Sequence, residues 1–158
     1  MTDNISAIDS QLTFNSDNLV TFNMDVEGDL LGTYRGTFII KAYLNPLEIL
    51  AVGRTTRELL GNHTQGVTQE EFSIALALSE CSKRIVKAPP FWSSNSHESL
   101  LQGNIPDLPV LHIVYTACIR AESLYRERLK AKRESALKTS TIAAGAILES
   151  LNGTAKKD

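Results

Sequence analysis

The chain has 158 residues, a net charge of −2 and 42% hydrophobic residues, which suits one domain with an accessory arm or tail. The near-neutral charge gives no general attraction to nucleic acid or membranes, and no run of about 18 apolar residues predicts a membrane span. The first ten residues have neither a basic region nor an apolar stretch, so we expect no signal peptide. Cys81 and Cys118 lie in helical apolar patterns, which favours buried free thiols over a disulfide and predicts a small soluble intracellular protein.

The charges are unevenly distributed. The first 34 residues contain six acidic and no basic side chains, whereas residues 120–138 contain seven basic and three acidic ones. Two interpretations stay open: the two regions attract each other within one chain or between neighbours, or both are solvated surfaces.

The N-terminal third carries the signals of a small antiparallel sheet. Residues 12–14 and 19–24 alternate between apolar and polar side chains around the turn-forming residues 15–18, which predicts a β-hairpin. Residues 33–44 are rich in β-branched and aromatic side chains and predict a further strand.

Two helices follow, each with a clear start. Asn45 as the cap and Pro46 at the first helical position predict a helix over 46–60. Thr68 and Glu71 have the spacing of a capping box, which predicts a second helix that runs to about residue 87 and ends before two prolines. Its apolar stripe comprises Ile74, Leu78, Cys81 and Ile85.

The only tryptophan follows those prolines. Trp92 and its neighbour Phe91 are either a plug in the core or an anchor at a protein interface. We therefore include both among the candidate interaction residues.

A capping Asp107 predicts a long third helix over 108–138, which weakens at 139–141 before a short amphipathic segment. Its second half is basic. Interleaved glutamates and a single tyrosine favour a solvated helix face over a nucleic-acid surface. The basic candidate interaction residues are Arg120, Arg126, Arg128, Lys130, Lys132 and Arg133.

These elements predict an α+β fold: a mainly helical domain with three main helices, the last one long, and a small N-terminal antiparallel sheet or hairpin. The expected organisation is an acidic arm or hairpin over 1–30, a helix-rich domain over 31–138, and a C-terminal tail over 139–158. We expect residues 45–135 to form the stable unit.

The sequence offers no recognisable catalytic apparatus. Ser96, His97 and Glu98 are adjacent, so their side chains point apart rather than forming a relay. The two cysteines and three histidines match no zinc spacing, and the glycines match no nucleotide-binding loop. We expect a protein that is not an enzyme and needs no cofactor or metal.

A set of motifs in a fixed order carries a family resemblance. They are YRGTF at 34–38, LNP at 44–46, RELLG at 57–61, RIVKAPPFW at 84–92, and a helix that is capped at Asp107 and contains Tyr115. This order resembles that of small proteins encoded among the structural genes of tailed bacteriophages, including tail assembly chaperones.

The resemblance implies a non-enzymatic virion structural or assembly protein that acts through protein–protein contacts. Its partners would be other phage structural proteins, with copies of itself as a further option, and its location the virion or the host cytoplasm. Two alternatives stay open: a transient tail assembly chaperone, and a nucleic-acid-binding adaptor that uses the basic helix 120–138. Membrane partners are not expected.

Overall fold

The computed structural model describes residues 8–29, 32–61, 66–92 and 107–154, with side chains up to residue 139. The fold is α+β, with one four-stranded antiparallel sheet and three main helices; residues 8–10 form a helical turn before the first strand. The elements in chain order are β1 (Leu12–Phe14), β2 (Leu19–Glu27), β3 (Thr33–Lys41), α1 (Pro46–Leu59), α2 (Gln69–Arg84), β4 (Ile85–Lys87) and α3 (Leu108–Thr154).

The sheet has the order β1-β2-β3-β4, so each strand pairs with its neighbour in the chain. The predicted hairpin is confirmed: β1 pairs antiparallel with β2, and Leu12 lies opposite Phe22. In the turn, the backbone N–H of Asn15 donates to the carbonyl of Leu19, and the Asn15 side chain donates to the Thr21 hydroxyl. Asn side chains suit such turns because they form local hydrogen bonds.

The core lies between one face of the sheet and the helices. Alternate side chains of β2 and β3 are buried, as expected for strands with one solvated face, and α2 and α3 bury small and branched side chains. The sheet contributes Val20, Phe22, Met24, Tyr34, Phe38 and Ile40, and the helices contribute Ala77, Cys81, Val110, Leu111, Val114, Ala117, Cys118 and Ala121.

This core corrects the expectation that residues 45–135 form the stable unit. The buried residues of β2 and β3 precede residue 45, and β2 is an interior strand of the sheet. The chain divides instead into a first compact unit, Met1–Ser123, and a second, Leu124–Asp158.

Both predicted helix starts are confirmed as complete capping boxes. The Asn45 side chain accepts from the backbone N–H of Glu48, and the Glu48 carboxylate accepts from the backbone N–H of Asn45. Thr68 and Glu71 make the same reciprocal pair at the start of α2. Each box satisfies two backbone donors that a helix end leaves open.

The prediction that the second helix reaches residue 87 was wrong. The helix ends at Arg84, and Ile85–Lys87 forms β4, which pairs with β3 by placing Ile85 opposite Ile40. Two adjacent β-branched residues before a proline pair favour extended backbone. The hydrogen bonds that decide the outcome come from β3, which is distant in the sequence.

The predicted weakening of the third helix at 139–141 was also wrong, because α3 continues to Thr154. The hydroxyl of Thr139 donates to the carbonyl of Ser135 at 3.0 Å, which satisfies this polar side chain without interrupting the helix. No described helix combines the length and apolar character needed to cross a bilayer.

Candidate protein-interaction surface

Trp92 is fully buried, so the structure places it in the core and not on a surface where it could anchor a partner. Its ring meets Phe38 of β3 edge to face, with 5.2 Å between ring centroids. Phe91 is half-buried and packs in the same manner on Tyr34. The backbone N–H of Trp92 donates to the carbonyl of Pro89, which fixes the proline corner. Both aromatic candidates therefore support the packing against β3.

Arg120 is engaged within its own chain. Its Nε and Nη2 atoms donate to the two carboxylate oxygens of Asp9, at 2.5 and 2.7 Å. The hydrogen bond to Arg120 lowers the pKa of the Asp9 carboxyl below its usual value. One contact between the acidic N-terminal region and the basic helix is thus intramolecular, and it fastens the helical turn 8–10 to α3.

Arg120 belongs to the first compact unit, and the other five basic candidates lie on the second. Their side chains are exposed, and Glu127 and Glu134 are interleaved with them. This is the arrangement of a solvated helix face with excess positive charge. The five residues are Arg126, Arg128, Lys130, Lys132 and Arg133.

Among the described residues, the most exposed large apolar side chain lies on α1, and the candidate residues predicted from the sequence did not include it. Leu47, Ile49 and Leu50 are 77%, 57% and 63% exposed, whereas the buried face of α1 consists of Val52 and Thr56. At about 100° per residue, Leu47 and Leu50 lie on the side of α1 opposite Val52 and Thr56, whereas Ile49 lies on the same side as those two. The sequence could not show which side is exposed.

A cleft of about 580 Å³ lies between α1 and α2. Phe72, at 48% exposed, lies on the α2 side of the cleft. We call it the α1–α2 cleft; its lining residues are Gly53, Thr56, Arg57, Leu60, Val67, Thr68, Gln69, Phe72 and Leu76. A second cavity of about 450 Å³ shares Leu60 and Val67 with it and extends to Ile74 and Leu78.

The charge at the α1–α2 cleft is positive. Arg57 is the only charged residue among those described that line it, and Arg54 is exposed one turn earlier on α1. Within the described part of the chain, neither arginine forms an ion pair. Arg57 thus adds a positive charge to an otherwise uncharged lining, and Arg54 lies one turn away on the same helix.

By contrast, the Arg84 guanidinium is buried and fully engaged. It donates to the carboxylates of Glu80 and Glu122 and to the carbonyl of Ala42. Burial by itself would lower the pKa of Arg84, but the hydrogen bonds to Glu80 and Glu122 raise it above the usual value. This cluster joins α2, α3 and the end of β3, and its charges are satisfied, so its role is structural.

Cys81 and Cys118 are buried free thiols, as expected. The pKa of Cys81 is raised well above its ordinary value, first by its hydrogen bond with Cys118 and then by burial. A thiol that stays protonated is a poor nucleophile. Among the described residues, no group of three or more His, Cys, Asp or Glu side chains could hold a metal ion. Ser96, His97 and Glu98 lie outside the described residues.

No protein-family model, curated protein or solved structure matches this chain.

Proposed function

We propose that this protein is a non-enzymatic interaction protein that acts through protein–protein contacts in a tailed-bacteriophage particle or in its assembly. The single observation that carries the contact function is the exposure of three large aliphatic side chains on one short helix, Leu47, Ile49 and Leu50 of α1. Large apolar side chains that a fold leaves exposed in one region are typical of a surface that another protein covers.

The phage assignment is supported by the order of the sequence motifs. In the fold, YRGTF lies in β3, RELLG spans the end of α1, and RIVKAPPFW runs from α2 through β4 to the buried Trp92. These motifs build the framework that holds α1 and α2. A transient tail assembly chaperone, which binds a phage protein and then leaves, uses the same kind of surface.

Quantitative mass spectrometry of purified particles, from the phage that encodes this chain, tests the proposal. A fixed copy number per particle supports a structural protein. Absence from mature particles, together with recovery in complex with a tail or capsid protein from infected cells, supports the chaperone. Absence from both contradicts the proposed function.

A double variant, Leu47→Ser with Leu50→Ser, tests the surface itself. Both side chains are exposed, so the fold is expected to keep its melting temperature. Incorporation into particles, or recovery with the phage protein, is expected to fall strongly. Leu137→Ser is the matched control, because Leu137 is 68% exposed on the second unit. Equal incorporation of both variants would assign the contact to another surface.

The exposed basic residues of the second unit favour a second candidate, a nucleic-acid-binding adaptor. Such binding depends steeply on salt because counterions are released from the phosphates. Titration of labelled double-stranded DNA at low and moderate salt tests it. Failure of the DNA to bind at low salt rejects this candidate.

A further inference from the structure

The backbone of α1 is accessible at one glycine in the lining of the α1–α2 cleft. A Cβ atom built at Gly53, inside α1, meets no heavy atom within 4 Å. A glycine in a helix interior costs stability relative to alanine, and nothing in the described packing around Gly53 requires its small size. A bare backbone position of this kind allows a second helix to approach closely. The cleft has Phe72 in its lining, and the exposed Leu50 lies one turn before Gly53 on α1. It therefore suits an α-helix with an apolar face.

The charge of the cleft predicts which charged residues border the apolar face of the partner helix. Arg57 on the lining and Arg54 beside it make no ion pair within residues 8–29, 32–61, 66–92 and 107–154. Acidic side chains flanking the apolar face of the partner would complement both. Basic ones would be repelled, since like charges across an interface disfavour a complex.

The same charge argues against the basic part of α3, from a second copy of this chain, as the occupant. The exposed helical residues 124–138 carry six basic and two acidic side chains, so they would bring like charge to Arg54 and Arg57. Asp25 and Glu27 of the acidic N-terminal region lie in β2, which is paired along its length in the sheet. A second copy that bound through α1 or α2 instead would appear as a concentration-dependent dimer in analytical ultracentrifugation, and that result would contradict a different protein as the occupant.

We propose that the α1–α2 cleft binds an amphipathic α-helix of another protein, with large apolar residues on one face and acidic residues along the rim that meets α1. This inference rests on the proposed function, because it specifies the partner of the same surface. The partner's apolar side chains at positions i, i+3, i+4 and i+7 would enter the cleft. Its carboxylates would pair with Arg54 and Arg57.

Three synthetic peptides, each about as long as the 14-residue α1, serve as probes. The first has leucines at the i, i+3, i+4 and i+7 positions and glutamates along one rim. The second replaces every glutamate by lysine, and the third scrambles the first. Fluorescence anisotropy with the full-length protein is expected to show binding of the first peptide, at least about tenfold tighter than of the other two. Equal binding of the acidic and basic peptides, or no binding at all, overturns the inference.

Matched variants locate the binding. Gly53→Leu fills the cleft and Arg57→Glu reverses its charge. Each is expected to lower the affinity for the acidic peptide by about tenfold or more. The controls are Leu137→Ala and Lys130→Glu, which change exposed residues of the second unit. Circular dichroism confirms that each variant is folded. If the folded variants Gly53→Leu and Arg57→Glu bind the acidic peptide with unchanged affinity, the peptide does not bind in the cleft and the inference is wrong.

The particle experiment separates the two proposals. If the protein is present in particles but the cleft variants bind the acidic peptide normally, the helix-binding inference fails and the proposed function stands. If the cleft variants lose peptide binding but the protein occurs neither in particles nor with a phage protein, the cleft is a helix-binding site and the phage function fails.

Discussion

The Arg84 guanidinium, at 3% exposed, binds groups from three parts of the fold. The carboxylates of Glu80 and Glu122 are themselves only 19% and 20% exposed. Removing the arginine therefore leaves two poorly solvated negative charges close together. Arg84→Met is expected to lower the free energy of unfolding by about 3–5 kcal/mol, the usual cost of breaking a buried ion pair.

Urea denaturation monitored by circular dichroism measures this change. Lys41→Met is the matched control, because its pair with Glu48 is 32% and 24% exposed and such partly solvated pairs contribute only about 0–1 kcal/mol. A loss below about 1 kcal/mol for Arg84→Met would show that the cluster adds nothing to stability.

The contact between Asp9 and Arg120 predicts that the stability of the fold depends on pH, and the lowered pKa of Asp9 gives the direction. The hydrogen bond to Arg120 lowers the pKa of Asp9 in the folded protein below the ordinary 3.8. The contact therefore stabilises the fold above pH 3.8 and loses its contribution as the pH falls through the lowered folded value. Asp9→Asn is expected to melt below the parent at neutral pH, with a difference that disappears in acid.

Thermal melting between neutral and strongly acidic pH checks this expectation. Asp25→Asn serves as the comparison, because Asp25 and its partner Arg35 are 52% and 75% exposed, and exposed pairs contribute little. A gap between Asp9→Asn and the parent that persists unchanged in acid would mean that the carboxylate charge is not its source.

At the scale of the elements, a glycine in α1 and a glycine in β3 differ in whether the fold has space for a larger side chain. Gly53 has open space around its Cβ position, whereas a Cβ at Gly36 would collide with the ring of Pro89. Gly53→Ala is expected to stabilise the protein by roughly 0.5–1 kcal/mol, because alanine favours the helix and restricts the unfolded chain. Gly36→Ala is expected to destabilise it. Melting temperatures that move in the same direction for both variants would contradict this assignment.

The elements that were predicted correctly depend on neighbouring residues. Asn45 and Thr68 mark their helix starts through side chains that bond backbone groups three residues away, and residues 15–18 close the hairpin. β4 was missed because its pairing with β3 is a distant contact. The continuation of α3 beyond Thr139 was missed because serine and threonine weaken helices only on average.

The whole molecule depends on its N-terminal strands. A chain of residues 30–158 lacks β1 and β2 and with them the buried Val20, Phe22 and Met24. Each such side chain contributes about 1.5–3 kcal/mol, against about 5–15 kcal/mol for an entire domain. We expect this truncated chain to show no cooperative unfolding transition in calorimetry.

A chain of residues 11–158 provides the control for this truncation. It retains every strand and loses the Asp9–Arg120 contact, so a cooperative transition at a lower temperature is expected. A cooperative transition in the 30–158 chain would restore the earlier view that residues 45–135 suffice for folding.

The amino-acid sequence by itself determined the α+β class, the hairpin, the helix starts and the buried free thiols, because short-range hydrogen bonds and apolar periodicity encode these features. Only the tertiary structure decided that Trp92 is buried against Phe38 and that Arg120 is bound to Asp9. It alone also showed that Leu47 and Leu50 of α1 are exposed. An apolar or charged side chain has the same pattern in the sequence whether it meets its own chain or a partner, and the packing of distant elements decides which.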